Sequence, residues 1–221
     1  MSPGRVRLPS QSAALAGVPA GVQATGPWAG RRQLFVKFAA EAETATIYTA
    51  SALRGELERL AVRSRFHSLS IAGRDPLGEC EFLTAALEGR RVLPTMLDHD
   101  GQRPEELQEV LSLLDLSQVT VDGTEGEGAL ERVADCIVRS ARAGVSHALV
   151  VVPAEGASDA QLLRIVEQAH AASDEVAIVL HPSIESATQR DRRWVAWLER
   201  AVGVHADVRL MPLLPGPTGS R

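Results

Sequence analysis

Residues 148–152 read Ala-Leu-Val-Val-Val, an apolar run that decides the fold class. A strand that is apolar at every position is typical of a parallel sheet whose two faces are both covered. Helical patterns flank the run: one over residues 128–143 ends before a glycine, and one running to about residue 172 follows a serine and an aspartate suited to an N-cap. This alternation predicts parallel strands joined by right-handed helical crossovers.

The same alternation extends in both directions along the chain. Roughly six or seven short apolar runs between residues 33 and 210 alternate with amphipathic stretches such as residues 50–63. No repeat interrupts them. The sequence therefore predicts an α/β fold, a partial (β/α)6 TIM-like barrel, in one domain over residues 21–221, with a flexible tail over residues 1–20. In such a fold the ligand site lies at the carboxyl ends of the strands.

Composition narrows the classes of function. The 221 residues carry a formal net charge of −5 and no long basic block, which argues against a generic nucleic-acid binder. No apolar run approaches the length of a membrane span. Cys80 and Cys136 lack CxxC spacing and fall in predicted helices, so we expect both to be buried thiols. A reducing compartment suits them, and we expect a cytoplasmic protein without a membrane or nucleic-acid partner.

Three separated stretches match one family pattern in order. Residues 21–31 read GVQATGPWAGR and are followed by FVKFA, residues 72–77 read AGRDPL, and residues 208–212 read VRLMP. They resemble VQGEGPWAGRP with FVRLAG, GGEPL and VRLxPQLHK of the 7-carboxy-7-deazaguanine synthases, a radical S-adenosylmethionine (radical-SAM) family. The resemblance covers residues 21–216 and implies a partial barrel of the radical-SAM type.

The residues that perform the radical chemistry of that family are missing here. In the family, FVRLAG runs into CNLxCxWC, whose three thiolates hold a [4Fe-4S] cluster. The positions aligned with those thiolates are Glu41, Ala45 and Tyr48. Alanine offers no ligand, and carboxylate or phenolate oxygens replace thiolates poorly around iron and sulfide. We therefore expect no [4Fe-4S] cluster and no radical chemistry.

The departures extend to other contacts of the family. An Asp-Thr pair that follows the third cysteine, with its Thr associated with Mg²⁺, becomes Thr49-Ala50. The Gln and His of PQLHK become Leu213 and Pro215, and Gly-Glu-Gly near the start becomes Ala-Thr-Gly over residues 24–26. Because several independent elements are lost together, synthase activity is not expected even with a cluster supplied.

Some residues of the old binding site remain as candidates for ligand binding: Gln23, Lys37, Arg74 and Asp75. Lys37 replaces an arginine that resembles a clamp for the substrate carboxylate, and a lysine still attracts a carboxylate as a point charge. Arg74 and Asp75 replace the Gly-Glu that holds the amino group of S-adenosylmethionine, and Asp75 can accept from an ammonium. The alternatives are a lysine that snorkels to solvent and an ordinary Asp-Pro turn.

A second set of polar residues follows the predicted strands: Asp98, His99, Asp122 and His181. Imidazole and carboxylates at strand ends are the groups that acid–base or metal-assisted catalysis requires. Their spacing matches no metal signature, so no metal ligands are assigned. Polar turns are the alternative explanation for Asp98 and Asp122, and a satisfied loop histidine for His181.

Two classes of function follow from these observations. The leading hypothesis is a cluster-less pseudoenzyme that binds a small-molecule ligand or a partner enzyme, in a biosynthetic pathway, with a homodimer as a further expectation. The rival is a repurposed lyase or hydrolase, with or without a metal, acting on a small anionic substrate. Binding of S-adenosylmethionine without radical chemistry is a third alternative.

Overall fold

Strands and helices alternate through most of the chain in a computed structural model, which describes residues 11–89, 92–183 and 192–213. The strands are β1 (Ser12–Gly17), β2 (Ala20–Val22), β3 (Arg32–Phe38), β4 (Thr46–Thr49), β5 (Ser68–Gly73), β6 (Thr95–His99), β7 (Leu116–Val121), β8 (Ser146–Val151), β9 (Ala177–Leu180) and β10 (Val208–Leu210). The helices are α1 (Ala50–Arg63), α2 (Cys80–Leu87), α3 (Pro104–Val110), α4 (Glu127–Arg142), α5 (Asp159–Ala172) and α6 (Arg193–Val202), and 3-10 turns cover Pro76–Glu79 and Leu111–Leu113.

One mixed, open sheet contains all ten described strands in the order β10-β9-β8-β7-β6-β5-β3-β1-β4, with β2 paired to β3. From β3 through β5 to β10 every neighbouring pair is parallel. This consecutive order is the one that a (β/α) barrel has. The sheet does not close, however, because β10 and β4 are its two ends. The chain is therefore a mixed α/β protein with an open sheet.

The helices cover one face of the sheet. Alternate strand residues, such as Leu34 and Leu149, join the helices in one large aliphatic core. The opposite face, called the inner face below, has a small apolar cluster of Met96, Leu116 and Ala148, against which Trp28 packs. Strand β8 is thus buried on both faces, as its apolar sequence predicts. None of the described helices is long and apolar enough to cross a membrane.

The structure corrects the prediction of a flexible tail over residues 1–20. Ser12–Gly17 is strand β1, which lies between β3 and β4. Alternate side chains of an edge region can be buried without a long apolar run, and here Ala13 and Leu15 are fully buried. The ordered sheet therefore begins at least as early as Ser12, while residues 1–10 lie outside the described part of the chain.

Substituting Leu15→Ala tests whether β1 belongs to the core. We expect the free energy of unfolding to fall by about 2–5 kcal/mol, because a fully buried leucine would leave a cavity. Val62→Ala, at a side chain that is 89% exposed on α1, is the matched control and should change it by less than about 0.5 kcal/mol. Equal urea denaturation curves for the two variants would contradict the burial of β1.

Candidate functional site

A cleft of about 290 Å³ lies at the carboxyl ends of β5, β6 and β7. This is the edge at which parallel α/β sheets bind their ligands. Its walls are polar around a short apolar turn, and they consist of Gly73, Asp75, Pro76, Leu77, Asp98, His99, Asp100 and Thr120.

The end of β5 shapes one wall of the cleft. Gly73 has a φ of +105°, and a Cβ there would lie 2.3 Å from the carbonyl oxygen of Phe38. A side chain is thus excluded, which lets β5 approach β3 closely. Asp75 then adopts a left-handed conformation with a φ of +46°, the one positive φ outside glycine in the described residues. Pro76 starts the 3-10 turn that follows. This backbone turns the Asp75 carboxylate toward α3.

Asp98 is half-buried in the cleft wall and accepts a hydrogen bond of 2.7 Å from the Thr120 hydroxyl. Burial raises the pKa of Asp98, while the hydrogen bonds from Thr120 and Gln118 act in the opposite direction. A carboxyl whose charge is so poorly solvated is a strong acceptor for a donor that a ligand brings. Asp98 is therefore the chemically most distinctive group of the cleft.

Asp75 does not offer a free carboxylate to the cleft. Arg103 binds it in a bidentate manner, with Nε 2.7 Å from Oδ1 and Nη2 2.9 Å from Oδ2. The same guanidinium donates to Glu106 at 2.9 Å. The neighbouring Arg74 forms an ion pair of 2.7 Å with Glu41. The charge of Asp75 is thus already compensated within the protein.

The positive charge of Lys37, which the sequence predicts to bind an anion, is also compensated within the protein. Lys37 Nζ lies 2.7 Å from Glu43, whose other carboxylate oxygen accepts from the backbone N–H of Ala40. The hydrogen bond from Lys37 lowers the pKa of Glu43. Gln23 is buried in the loop between β2 and β3, where its amide lies 3.4 Å from the Thr25 hydroxyl. Both residues therefore make intramolecular contacts.

The structure does not bring Asp98, His99, Asp122 and His181 into one constellation. His99 Nδ1 accepts from the Gly101 N–H at 3.2 Å and Nε2 lies 3.2 Å from the Ser117 hydroxyl, which describes a neutral ring, and burial lowers its pKa to about 4. Across residues 11–89, 92–183 and 192–213, no group of three or more His, Cys, Asp or Glu side chains is arranged to hold a metal ion.

Asp122 lies in an exposed turn whose polar groups form hydrogen bonds with one another. Its carboxylate accepts from the backbone N–H of Thr124 at 2.9 Å and from the Thr124 hydroxyl at 2.6 Å. The hydroxyl contact lowers the pKa of Asp122. The turn that the sequence offered as the alternative explanation is therefore the one that the chain forms.

His181 holds the β2–β3 loop against the inner face. Its Nε2 accepts a buried hydrogen bond of 2.8 Å from the backbone N–H of Gly26. Burial lowers the pKa of His181, while the nearby backbone of Pro212 and Met211 acts in the opposite direction. Gln118 also contacts the loop, donating to Thr25 at 3.3 Å. Three fully buried acceptors on this face have no partner among the described residues: Gln33 Oε1, Ser70 Oγ and Gln118 Oε1.

The positions aligned with cluster thiolates lie in three different local settings. Glu41 is in a turn and pairs with Arg74, Ala45 precedes β4, and Tyr48 is within β4 opposite Ala13 of β1. The Tyr48 hydroxyl lies 3.4 Å from Glu56. Cys80 and Cys136 are buried in α2 and α4, and burial raises the pKa of each thiol to about 12. This donor set does not fit a [4Fe-4S] cluster.

Comparisons with known proteins give partial support to the resemblance. No family model matches the chain. It is 30% identical over 114 residues to the 7-carboxy-7-deazaguanine synthase of Methanothermobacter thermautotrophicus, an alignment that covers 45% of each protein. The chain thus spans less than half the length of this curated relative. The similarity supports, for that share of the chain, the relationship with radical-SAM proteins that the motifs indicate.

Among solved structures, the chain aligns with dihydropteroate synthase of Xanthomonas albilineans in complex with indole-2-carboxylic acid and 6-chloroguanine. The alignment covers 80% of this chain and 84% of that one, at 16% sequence identity and a TM-score of 0.33. At that TM-score neither a shared fold nor a shared ligand is inferred.

Sequence reasoning missed Thr120, Gln118 and Arg103 as residues of the site. Gln118 and Thr120 are two apart on β7, so alternation alone places them on one face. Their approach to Asp98 depends on the register of β6 against β7, in which Asp98 pairs with Gln118. Arg103 reaches Asp75 across 28 residues of sequence. A local sequence pattern predicts neither the strand register nor a contact between residues so far apart in the sequence.

The buried neutral His99 predicts a specific pH dependence of stability. Its pKa is about 4 when folded against 6.5 as a free group, so between these values the unfolded state takes up a proton that the folded state does not. Stability should therefore fall as pH is lowered from about 7 toward 4, by up to about 3 kcal/mol from this residue.

The contribution of His99 is measured as the difference between wild type and His99→Gln in chemical denaturation across that pH range. His181 and Asp98 are present in both proteins, so their own titrations largely cancel in the difference. The variant should show the flatter profile on the acid side. Parallel profiles would contradict the assignment of a neutral, buried His99.

Proposed function

We propose that the chain is a non-radical, ligand-binding relative of 7-carboxy-7-deazaguanine synthase, built on a partial barrel of the radical-SAM type whose sheet stays open. The observation that carries the proposal is the Asp98–Thr120 pair in the wall of a 290 Å³ cleft at the carboxyl ends of the parallel strands. Cavities of this size, with few polar groups that converge on them, are typical small-molecule sites.

The loss of radical chemistry is supported by the residues that stand in place of the cluster motif. Glu41 is engaged by Arg74, Ala45 has no donor atom, and Tyr48 belongs to an edge strand. Without thiolates to hold iron, reductive cleavage of S-adenosylmethionine has no metal centre to supply the electron. The family's radical step is therefore not part of the proposed function.

The chemistry of the cleft favours a ligand that donates hydrogen bonds. Asp98 accepts from neutral groups, while Asp75, Lys37 and Arg74 each have an oppositely charged partner at 2.7 Å. An anion entering the cleft would meet carboxylates rather than an available cation, which argues against the small anionic substrate considered from the sequence. A ligand with an ammonium or ring N–H groups fits better, and S-adenosylmethionine, pterins and deazapurines carry such groups.

A second candidate function is acid–base catalysis in the same cleft, as a repurposed lyase or hydrolase. The observation that favours it is the raised pKa of Asp98, because a carboxyl with raised proton affinity is a better general base near neutral pH. In that case Asp98 takes the proton and the Thr120 hydroxyl positions the carboxylate. The predicted partners, His99, Asp122 and His181, would not take part in this reaction.

Thermal-shift screening of the cleft tests ligand binding. A ligand that binds the native state raises the melting temperature, and we expect this from an N–H-donating compound among S-adenosylmethionine, pterins and deazapurines. Asp98→Asn should abolish the shift, because the amide replaces one acceptor oxygen with a donor. Asp122→Asn, a carboxylate substitution in an exposed turn outside the cleft, is the matched control and should retain it. Loss of the shift in both variants, or in neither, would argue against Asp98 as the ligand's acceptor.

Anaerobic reconstitution with iron and sulfide tests the loss of the cluster. We expect no stoichiometric iron and no visible charge-transfer absorbance, because the aligned positions offer no thiolate. The M. thermautotrophicus synthase, treated in parallel, is the positive control. A stoichiometric [4Fe-4S] centre that cleaves S-adenosylmethionine would overturn the proposal.

A further inference from the structure

A basic and aromatic surface lies at the end of the sheet opposite the cleft, where β3 and β5 begin. The Arg32 guanidinium stands 4.5 Å from the centroid of the Phe66 ring and donates to the backbone carbonyl of Arg65 at 3.1 Å. Trp28 meets His67 edge to face at 5.1 Å. We call these residues, with Arg31, the arginine–aromatic surface: Trp28, Arg31, Arg32, Arg65, Phe66 and His67.

Backbone hydrogen bonds order the two segments of this surface, residues 28–32 and residues 65–67. The His67 N–H donates to the carbonyl of Arg32 at 2.8 Å, and the Arg31 N–H donates to that of Trp28 at 3.1 Å. The four side chains of Arg31, Arg32, Arg65 and His67 are exposed. The adjacent starts of β3 and β5 therefore hold these side chains next to one another as one surface.

The charge of this surface is not compensated by the described part of the chain. Arg31, Arg32 and Arg65 form no ion pair with any described carboxylate, whereas Arg103 and Arg193 have carboxylate partners at 2.7 and 2.8 Å. Arg63, in the last turn of α1, adds a fourth cation two residues before Arg65. In a chain of net charge −5, these neighbouring arginines and aromatic rings make a locally basic surface.

We propose that the arginine–aromatic surface docks a carboxylate-rich segment of a partner protein. The planar guanidinium forms two parallel hydrogen bonds with a carboxylate, and arginine and tryptophan are enriched at the energetic centres of protein interfaces. Because the surface lies at the amino ends of the strands, a docked partner leaves the cleft at the carboxyl ends open. Ligand binding and partner binding can then occur together.

Two other occupants fit less well. A two-fold dimer through this surface would set arginines against arginines, because such an interface pairs each patch with itself. A nucleic acid would extend beyond the patch over a protein whose remaining surface is more negative than its net charge of −5, and would be repelled there. A short acidic segment reaches the arginines without meeting that repulsion.

The test uses the full chain and a fluorescently labelled hexaglutamate peptide, titrated by anisotropy at low and moderate salt. The double variant Arg31→Glu/Arg65→Glu should bind roughly tenfold more weakly or worse, because attraction becomes repulsion at two contacts. The double variant Arg142→Glu/Arg200→Glu, which makes the same charge change at exposed arginines elsewhere, should bind like wild type. Unchanged melting temperatures would show that both variants fold.

Tryptophan fluorescence gives an independent readout of the location. Trp28 is half-buried and its ring contacts the exposed His67, whereas Trp194 and Trp197 are buried in the core. Peptide binding should therefore change the emission of Trp28, and the change should disappear in Trp28→Phe.

Each other outcome overturns the proposal. Equal binding by hexaglutamine would remove the role of charge, and retained binding by the Arg31→Glu/Arg65→Glu variant would remove the surface. Tighter binding of oligothymidylate through the same two arginines would assign the surface to nucleic acid. Salt-sensitive self-association that the same variant abolishes would assign it to a second copy of the chain.

Discussion

A buried hydrogen bond of 2.8 Å, from the Gly26 N–H to His181 Nε2, joins residues 155 apart in the sequence. The open sheet depends on it, because a sheet that does not close on itself must have its inner face covered by another segment. The β2–β3 loop does this, and the bond fixes it to the far side of the sheet. A Cβ at Gly26 would lie 1.8 Å from Gln118 Oε1, and the φ of Gly26 is +76°, so glycine is favoured there. The Nε2 of His181 is thus occupied by the Gly26 N–H.

The cleft lies at the carboxyl ends of β5, β6 and β7. The flanking charges are arranged in pairs, Arg103 with Asp75, Arg74 with Glu41 and Lys37 with Glu43. Each of these cations is already bound to a carboxylate of the protein, so it attracts an anion only weakly. Asp98 differs because its neighbours Thr120 and Gln118 are neutral, so its carboxylate remains the natural contact for a ligand. The lining of the cleft is therefore rich in acceptors, with the carboxylates of Asp75, Asp98 and Asp100 and no lysine or arginine among its described residues.

The segment that aligns with the cluster motif has a different structural role here. Residues 46–49 form β4, which pairs antiparallel with β1 and places Tyr48 opposite Ala13. An extended edge strand cannot at the same time wrap its side chains around a cluster. This paired strand supports the proposal that the protein binds a ligand without radical chemistry.

Hydrophobic periodicity by itself predicted α1 over residues 50–63 and the alternation of strands with helices, because the burial of one helix face and of whole strands produces a local apolar pattern. It missed the short strands β1, β2 and β4, none of which has a long apolar run, and the start of β7, where buried Ser117 and Gln118 interrupt the apolar pattern. Sequence also marked Asp98, but only the tertiary structure decided which residues surround it. Strand register and contacts between distant residues set the partners Thr120 and Gln118, and local periodicity contains neither.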